Sequence, residues 1–350
     1  MENILYHPVT NTNGLEYTGE ERHLFALVTG FMRTKIISVA IENGIFNQLS
    51  IRPRSYDYLK DILDLPDRSL KVFLDILINL KLININAKGK YQNTGISSKY
   101  LVKGKLSYIG GSFSLFETLY EECGGLMSIL KKDGGSKKTY SYLFKDSSEL
   151  KKEDVEDYTM QMFNTNGHPV MTLTEFYDFE GSRVVIDIGG GTGKICQTLV
   201  SQYEDMETIL FDLPSVCEIA EEKLKGFWLK HRIKIQAGDF FKDELPDGFD
   251  TAVMMRITQD LSLDQIEYLF KKVYDKLPSG GKLIIYEIFK NNAKNPGDES
   301  LVSLLLLMNT IVGTCRTIDE ISSVLEKVGF ADIRSFHTIY IYNAIEAVKP

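Results

Sequence analysis

The run Val184-Val185-Ile186-Asp187-Ile188-Gly189-Gly190-Gly191-Thr192-Gly193 decides the fold. Its β-branched opening reads as a buried strand, and the glycines after it read as a tight turn that starts a helix. Backbone that must bend sharply and approach a ligand closely has no room for a Cβ, so glycine recurs there. The glycines at 189, 191 and 193 give D-x-G-x-G-x-G. A dinucleotide fingerprint, G-x-G-x-x-G, would need its third glycine at position 194, which is Lys194.

Working downstream, short β-rich runs alternate with amphipathic helical segments: Arg183 to Ile188, Thr208 to Phe211, Ile233 to Gln236, Phe249 to Met254 and Lys282 to Ile288. That alternation predicts an α/β architecture, a mostly parallel doubly wound sheet over residues 181–350. The runs Ile333 to Tyr342 and Asn343 to Val348 are too close in sequence for a crossover helix, so they are expected to pair as an antiparallel hairpin at the sheet edge. Such sheets bind ligands beyond the C-terminal ends of their strands. There Phe211-Asp212-Leu213-Pro214 offers a carboxylate suited to both hydroxyls of a ribose. Gly238-Asp239-Phe240-Phe241 offers a second acid for an adenine amino group, with Phe240 to pack on the ring.

Upstream the texture differs. Residues 1–20 read as an arm. Residues 21–105 show helical spacing from His23 to Leu49, a break at Arg52-Pro53, helices over Tyr56 to Leu63 and from Asp67, and two strand-like pieces, Leu82 to Asn86 and Lys90 to Gln92, joined at Ala87-Lys88-Gly89. Helices followed by a small hairpin form a winged-helix pattern. With no basic recognition helix, it reads as a protein contact rather than a DNA reader. Residues 106–180 read as aromatic-rich helices with a mobile connection at Lys132 to Lys138.

Composition narrows the function. A net charge of −8 argues against a nucleic-acid partner, whose affinity would come from neutralised phosphates. The most apolar stretch, Leu301 to Val312, falls far short of the roughly 20 residues that cross a bilayer, and MENILYHPVT lacks the pattern of a signal peptide. No membrane partner and a cytoplasmic location are expected. Cys123, Cys196, Cys217 and Cys315 have no C-x-x-C spacing and read as free thiols, with no metal site.

DIGGGTGK, FDLPSV and GDFF, together with Ala40 to Phe46, Tyr91 to Thr94, Lys276 to Gly281 and Gly313-Thr314-Cys315-Arg316-Thr317, resemble the plant-type and bacterial small-molecule O-methyltransferases. That family includes enzymes acting on caffeate, N-acetylserotonin and anthracyclines. The likeness runs from about residue 20 to the end. It implies a class I domain binding S-adenosylmethionine (SAM), with S-adenosylhomocysteine as product. Gly189, Asp212, Asp239, Phe240 and Arg256 would be contacts, and Asp187, Gly191, Gly193 and Leu213 complete the expected cofactor set. It also implies that the N-terminal winged-helix module is a homodimer interface lending helices to the partner's substrate pocket.

One position departs from the family pattern. Where relatives carry Leu-His-Asp-Trp, with a histidine that deprotonates the acceptor, this chain has Thr258-Gln259-Asp260-Leu261. A carboxamide cannot take a proton near neutral pH, though it can orient a substrate. Losing a general base costs about 10²- to 10⁴-fold in rate. Three readings follow. Methyl goes to an acceptor that is already nucleophilic, giving O- or C-methylation; or His168, Asp260 or Glu287 supplies a base; or SAM acts only through its charge, as in hydroxylase or pericyclase relatives. A winged-helix regulator is the remote alternative. By the same resemblance Met160, Phe163, Met308 and Asn309, with Met171 and Phe176, would line an apolar pocket for a flat aromatic or polyketide-like molecule.

Overall fold

The structure is a computed structural model describing residues 19–105, 107–134, 152–290, 297–338 and 341–350. The expected arm up to residue 18 and positions 135–138 of the expected mobile connection lie outside the described residues. The chain divides into two compact units, residues 1–102 and 103–350.

The first unit is helical except for one hairpin: α1 (Gly19–Val28), α2 (Gly30–Glu42), α3 (Ile45–Ile51), α4 (Tyr56–Leu63), α5 (Asp67–Asn79), antiparallel β1 (Ile83–Ile85) and β2 (Tyr91–Asn93), and α6 (Gly95–Tyr100). Helix α3 stops where Arg52 turns extended ahead of Pro53, because proline crowds the preceding residue out of the helical region. Ser55 caps α4 by accepting from the Tyr58 amide. Helix α5 buries Leu70, Phe73, Leu74 and Leu77, one stripe at helical spacing. Helix α1 buries nothing. Leu24, Phe25, Leu27, Val28, Phe31 and Met32 on α1 and α2 are each more than half exposed. A groove of about 650 Å³ in the same unit is lined by Ile36, Val39, Leu63, Leu65, Val72 and Ile76, among others. Among the described residues no single helix is long and apolar enough to cross a membrane, although α1 and α2 together reach that length with a 50° bend between them.

The second unit begins with α7 (Gly111–Cys123), α8 (Leu126–Lys131), α9 (Lys152–Thr165) and α10 (Gly167–Phe176). Strands and helices then alternate: β3 (Val184–Ile188), α11 (Lys194–Gln202), β4 (Glu207–Asp212), α12 (Pro214–Leu224), β5 (Ile233–Ala237), β6 (Thr251–Met255), α13 (Leu263–Lys276), β7 (Lys282–Glu287), α14 (Glu299–Asn309), α15 (Ile318–Val328), β8 (Ala331–His337) and β9 (Asn343–Val348). The seven strands lie in the order β5-β4-β3-β6-β7-β9-β8. The first five are parallel, and β9 and β8 add an antiparallel edge. The expected hairpin is therefore present. Its first strand starts at Ala331, two residues before the expected position, with an irregularity between Ala331 and Arg334.

Alternation along the central strands explains the layers. Ile186, Ile188, Ala252, Met254, Leu283 and Ile285 face one core with the apolar stripes of α13 and α15. Val185, Val253, Met255, Ile284 and Tyr286 face the other, with α10, α11 and α14. Both faces are covered, as parallel sheets require. Strand order reverses between β3 and β6, so a crevice opens at their C-terminal ends.

Candidate active site

The glycine turn after β3 lies at that crevice. Gly189 sits at φ 72°, a conformation that favours glycine, and a Cβ there would come within 2.3 Å of Ile257 Cδ1, so the end of that side chain would have to move. Gly193 opens α11 at φ 79°, with Leu210 Cδ1 2.9 Å from where its Cβ would lie. Beside Gly191, by contrast, there is open space. At the tip of β4, Asp212 Oδ2 accepts the Gly191 amide at 2.8 Å and Oδ1 accepts its own neighbour's amide, Leu213, at 2.7 Å. Burial pushes the Asp212 carboxyl up to about 6, opposed by those two amides. Asp187 lies beneath the turn, fully buried, and its carboxyl is pushed up to about 8 by burial and by the charge of Asp212.

Asp239 lies beyond β5, where its Oδ1 accepts the Phe241 amide at 2.9 Å and Oδ2 stands 3.4 Å from Lys242 Nζ. Phe240 meets Phe241 edge-on at 4.7 Å and packs on the core beside it. Arg256 follows β6 with φ 60°, a left-handed backbone outside glycine's domain, which is a costly conformation that the surrounding structure must hold. Its Nη1 donates to Asn166 Oδ1 at 2.7 Å, tying the β6 tip to the junction of α9 and α10. The expected cofactor residues thus converge on the strand tips.

Gln259 sits in a 3-10 turn, Thr258–Asp260, that is gripped from several sides. Glu287, at the end of β7, accepts the Ile257 amide at 2.8 Å, the Thr258 amide, and the Thr258 hydroxyl at 2.8 Å. Arg316, from the connection between α14 and α15, donates to the carbonyls of Thr258 and Leu261. The Thr314 amide donates to the Gln259 carbonyl at 2.9 Å. Ser262 and Gln265 then form a capping box that starts α13 directly after the turn. The Gln259 backbone is fixed while its side chain, 5% exposed, has no hydrogen-bond partner among the described residues. Asp260 likewise accepts no hydrogen bond, and its carboxyl is pushed up to about 7 by burial and by Glu287, against Arg256 and Arg316.

The expected pocket residues lie on α9, α10 and α14. Met308 is buried in a small apolar cluster with Leu119 and Ile129, against which Met162, Leu304 and Leu305 pack. Asn309 is buried with its Oδ1 unpartnered. Met160 and Met171 are half-buried, and Phe176 is exposed at the end of α10. Phe163 lies under the ammonium groups of Lys194 and Lys223. His168 belongs to the first turn of α10 rather than to a loop, and is half-buried. Sequence reasoning gave no role to Thr258, Arg316, Asn166 or Lys194. The one available hint was charge: Arg316 and Lys194 are the sole cations in their motifs, Gly313 to Thr317 and Asp187 to Lys194.

Comparison with known proteins agrees with this geometry. The chain is 28% identical over 315 residues to 3-hydroxy-5-methyl-1-naphthoate 3-O-methyltransferase of Streptomyces sahachiroi, which covers 88% of this chain and 89% of that one. It is 25% identical over 327 residues to the N,N-dimethyltransferase OxyT of Streptomyces rimosus, covering 91% and 93%. The crystal structure of human N-acetylserotonin methyltransferase in complex with SAM shares the fold, with a TM-score of 0.83 at 24% identity over 96% of this chain and 99% of that one. The model of the O-methyltransferase domain matches residues 123–331, so this chain belongs to the O-methyltransferase family and is a SAM-dependent methyltransferase.

Proposed function

We propose that this methyltransferase acts on a small aromatic or polyketide-like secondary metabolite, and that Gln259 holds the acceptor in place of the family's proton-abstracting histidine. The observation that carries this reading is the Gln259 side chain, which stands on a clamped turn and has no protein hydrogen-bond partner among the described residues. A carboxamide without a protein partner can both donate and accept hydrogen bonds to an acceptor molecule, which suits it to orient one. Asn309 Oδ1 is buried without a partner and asks for a donor.

Bound at the strand tips, SAM supplies an electrophilic methyl group on a sulfonium. Asp212 takes the ribose hydroxyls, the glycine-turn amides approach the backbone of the nucleoside, and Asp239 with Phe240 receives the adenine. Glu287 is occupied by its loop and acts as a positioning residue. Asp260, with no hydrogen bond, and His168, on α10, remain the groups able to receive a proton. Acceptors that are already nucleophilic, such as an enolate, a carbon ortho to a hydroxyl, or an amine, need no strong base. The relatives act on both oxygen and nitrogen, which fits a pocket whose chemistry is set mainly by approach.

We further propose a cytoplasmic homodimer formed through the N-terminal winged-helix unit. The bare apolar side chains of α1 and α2, with the groove lined by Ile36, Val72 and Ile76, support it. No nucleic-acid or membrane partner is proposed, given the net charge of −8. The deciding experiment incubates the protein with SAM and a panel of phenolic, enolic and amine acceptors and follows S-adenosylhomocysteine by mass spectrometry. Product formed from SAM supports transfer. An acceptor converted in the presence of SAM that is itself left intact would replace transfer by a purely electrostatic role.

A further inference from the structure

We propose that Lys194, with Lys223 beside it, is the counter-ion for the carboxylate at the amino-acid end of the cofactor. The inference rests on SAM being bound at the β3–β4 tips and extends that site to a residue with no role so far.

Lys194 is the first residue of α11, immediately after Gly193. Its ammonium donates to the Phe163 carbonyl in the last turn of α9 and stands 4.1 Å from the centre of the Phe163 ring. Lys223 Nζ, from α12, faces the same ring at 5.4 Å. Two like charges therefore stand against one aromatic ring, and among the described residues neither forms an ion pair with a carboxylate. Lys194 is half-buried, and burial alone lowers its ammonium to about 8. A cation withdrawn from water without an anion is unfavourable unless a ligand provides one.

The neighbouring cation is differently placed. Arg256, which reaches the other side of the α9 terminus through Asn166, already has Asp260 and Glu287 around it. The residues that follow Phe163 thus bridge two cations, one compensated and one not. SAM brings a sulfonium, an ammonium and a single carboxylate. Only the carboxylate suits Lys194, and it would also shield the sulfonium from the lysine charge. Placing it there sets the amino-acid end toward α9 and α11.

The test compares two ligands without any acceptor present: S-adenosylhomocysteine, which has the carboxylate, and 5′-methylthioadenosine, which lacks the amino-acid end. Lys194→Met is expected to weaken S-adenosylhomocysteine binding by about 30-fold or more while changing methylthioadenosine by less than about twofold. Equal weakening of both would mean that Lys194 only fastens α9, and no change in either would remove it from the site; both overturn the proposal. Wild-type protein that binds neither ligand would instead refute the SAM site itself. Should the variant not fold, the Lys194 13Cε resonance of the wild type is titrated with each ligand. A pKa raised by S-adenosylhomocysteine alone supports the pairing, and a response identical for both ligands, or none, overturns it.

Discussion

The Gly191 amide donates to Asp212 Oδ2 at 2.8 Å, so the acid at the end of β4 and the glycine turn after β3 are joined before any nucleoside arrives. A ribose that binds Asp212 meets a carboxylate already aimed by the turn. Its hydroxyls add donors to a buried anion, which lowers the cost of keeping that anion charged.

This sets the pH dependence of cofactor binding. The Asp212 carboxyl lies at about 6, above its ordinary value, because burial outweighs its two amide bonds. In the proposed ribose contact the charged form would accept the hydroxyls, and the protonated form would compete with them. Calorimetric affinity for S-adenosylhomocysteine should hold near neutrality and fall by about tenfold per unit as pH drops below about 6. Asp212→Ala should weaken binding at every pH. Affinity that stays level down to pH 5 would refute the role given to Asp212.

Gln259 is open to a direct exchange of chemistry. Gln259→His should bring or strengthen methylation of phenols, since an imidazole can take the proton that the carboxamide cannot. Gln259→Ala should raise the acceptor KM by about 5- to 100-fold while leaving the cofactor Kd unchanged. Steady-state kinetics with fixed SAM separates these effects. An alanine variant with unaltered acceptor kinetics would show that the side chain does not touch the acceptor.

Glu287 and Asp260 tie stability to pH. Both carboxyls are raised to about 7, chiefly by burial, and Glu287's charge adds to the effect on Asp260. A folded-state pKa above the unfolded value favours the folded form below the unfolded pKa, and that contribution is lost as pH climbs through 7. The wild-type Tm should therefore decline between pH 5 and pH 8 by more than that of Asp260→Asn. The variant's advantage should appear at pH 8 and vanish at pH 5 in scanning calorimetry. Glu287→Ala should destabilise at both, because the Ile257 and Thr258 donors lose their acceptor, at a cost of about 1–3 kcal/mol for each left buried.

The proposed dimer is tested at α1. Phe25→Asp combined with Leu27→Asp changes side chains 68% and 64% exposed in the single chain, so the monomer fold should tolerate them. Light scattering should show two chains per particle in the wild type and one in the variant, with cofactor affinity retained. A wild type that is monomeric at micromolar concentration would rule the dimer out.

The glycine turn, the parallel strands and the two acids were legible because each is local: a run of β-branched residues, a glycine spacing, an acid at a strand end. The clamp around Gln259 was not. Glu287, Arg316 and Thr314 reach it from elements distant in the chain, and no spacing rule relates them. The helical setting of His168 was hard to read for a local reason. The Gly-His-Pro sequence suggests a loop, yet proline fits the first turn of a helix, where its missing N–H would have no partner. Phe163 illustrates a third limit: an aromatic among aromatics says nothing about the two lysines that cover it.

Gly189 and Ile257 occupy one another's space, since any side chain at 189 would strike the Ile257 methyl. The glycine turn after β3 and the start of the Gln259 turn are thereby interlocked like adjacent teeth of a gear. A larger residue at either position would displace both at once, spoiling the alignment between donor and nucleophile rather than retuning one partner.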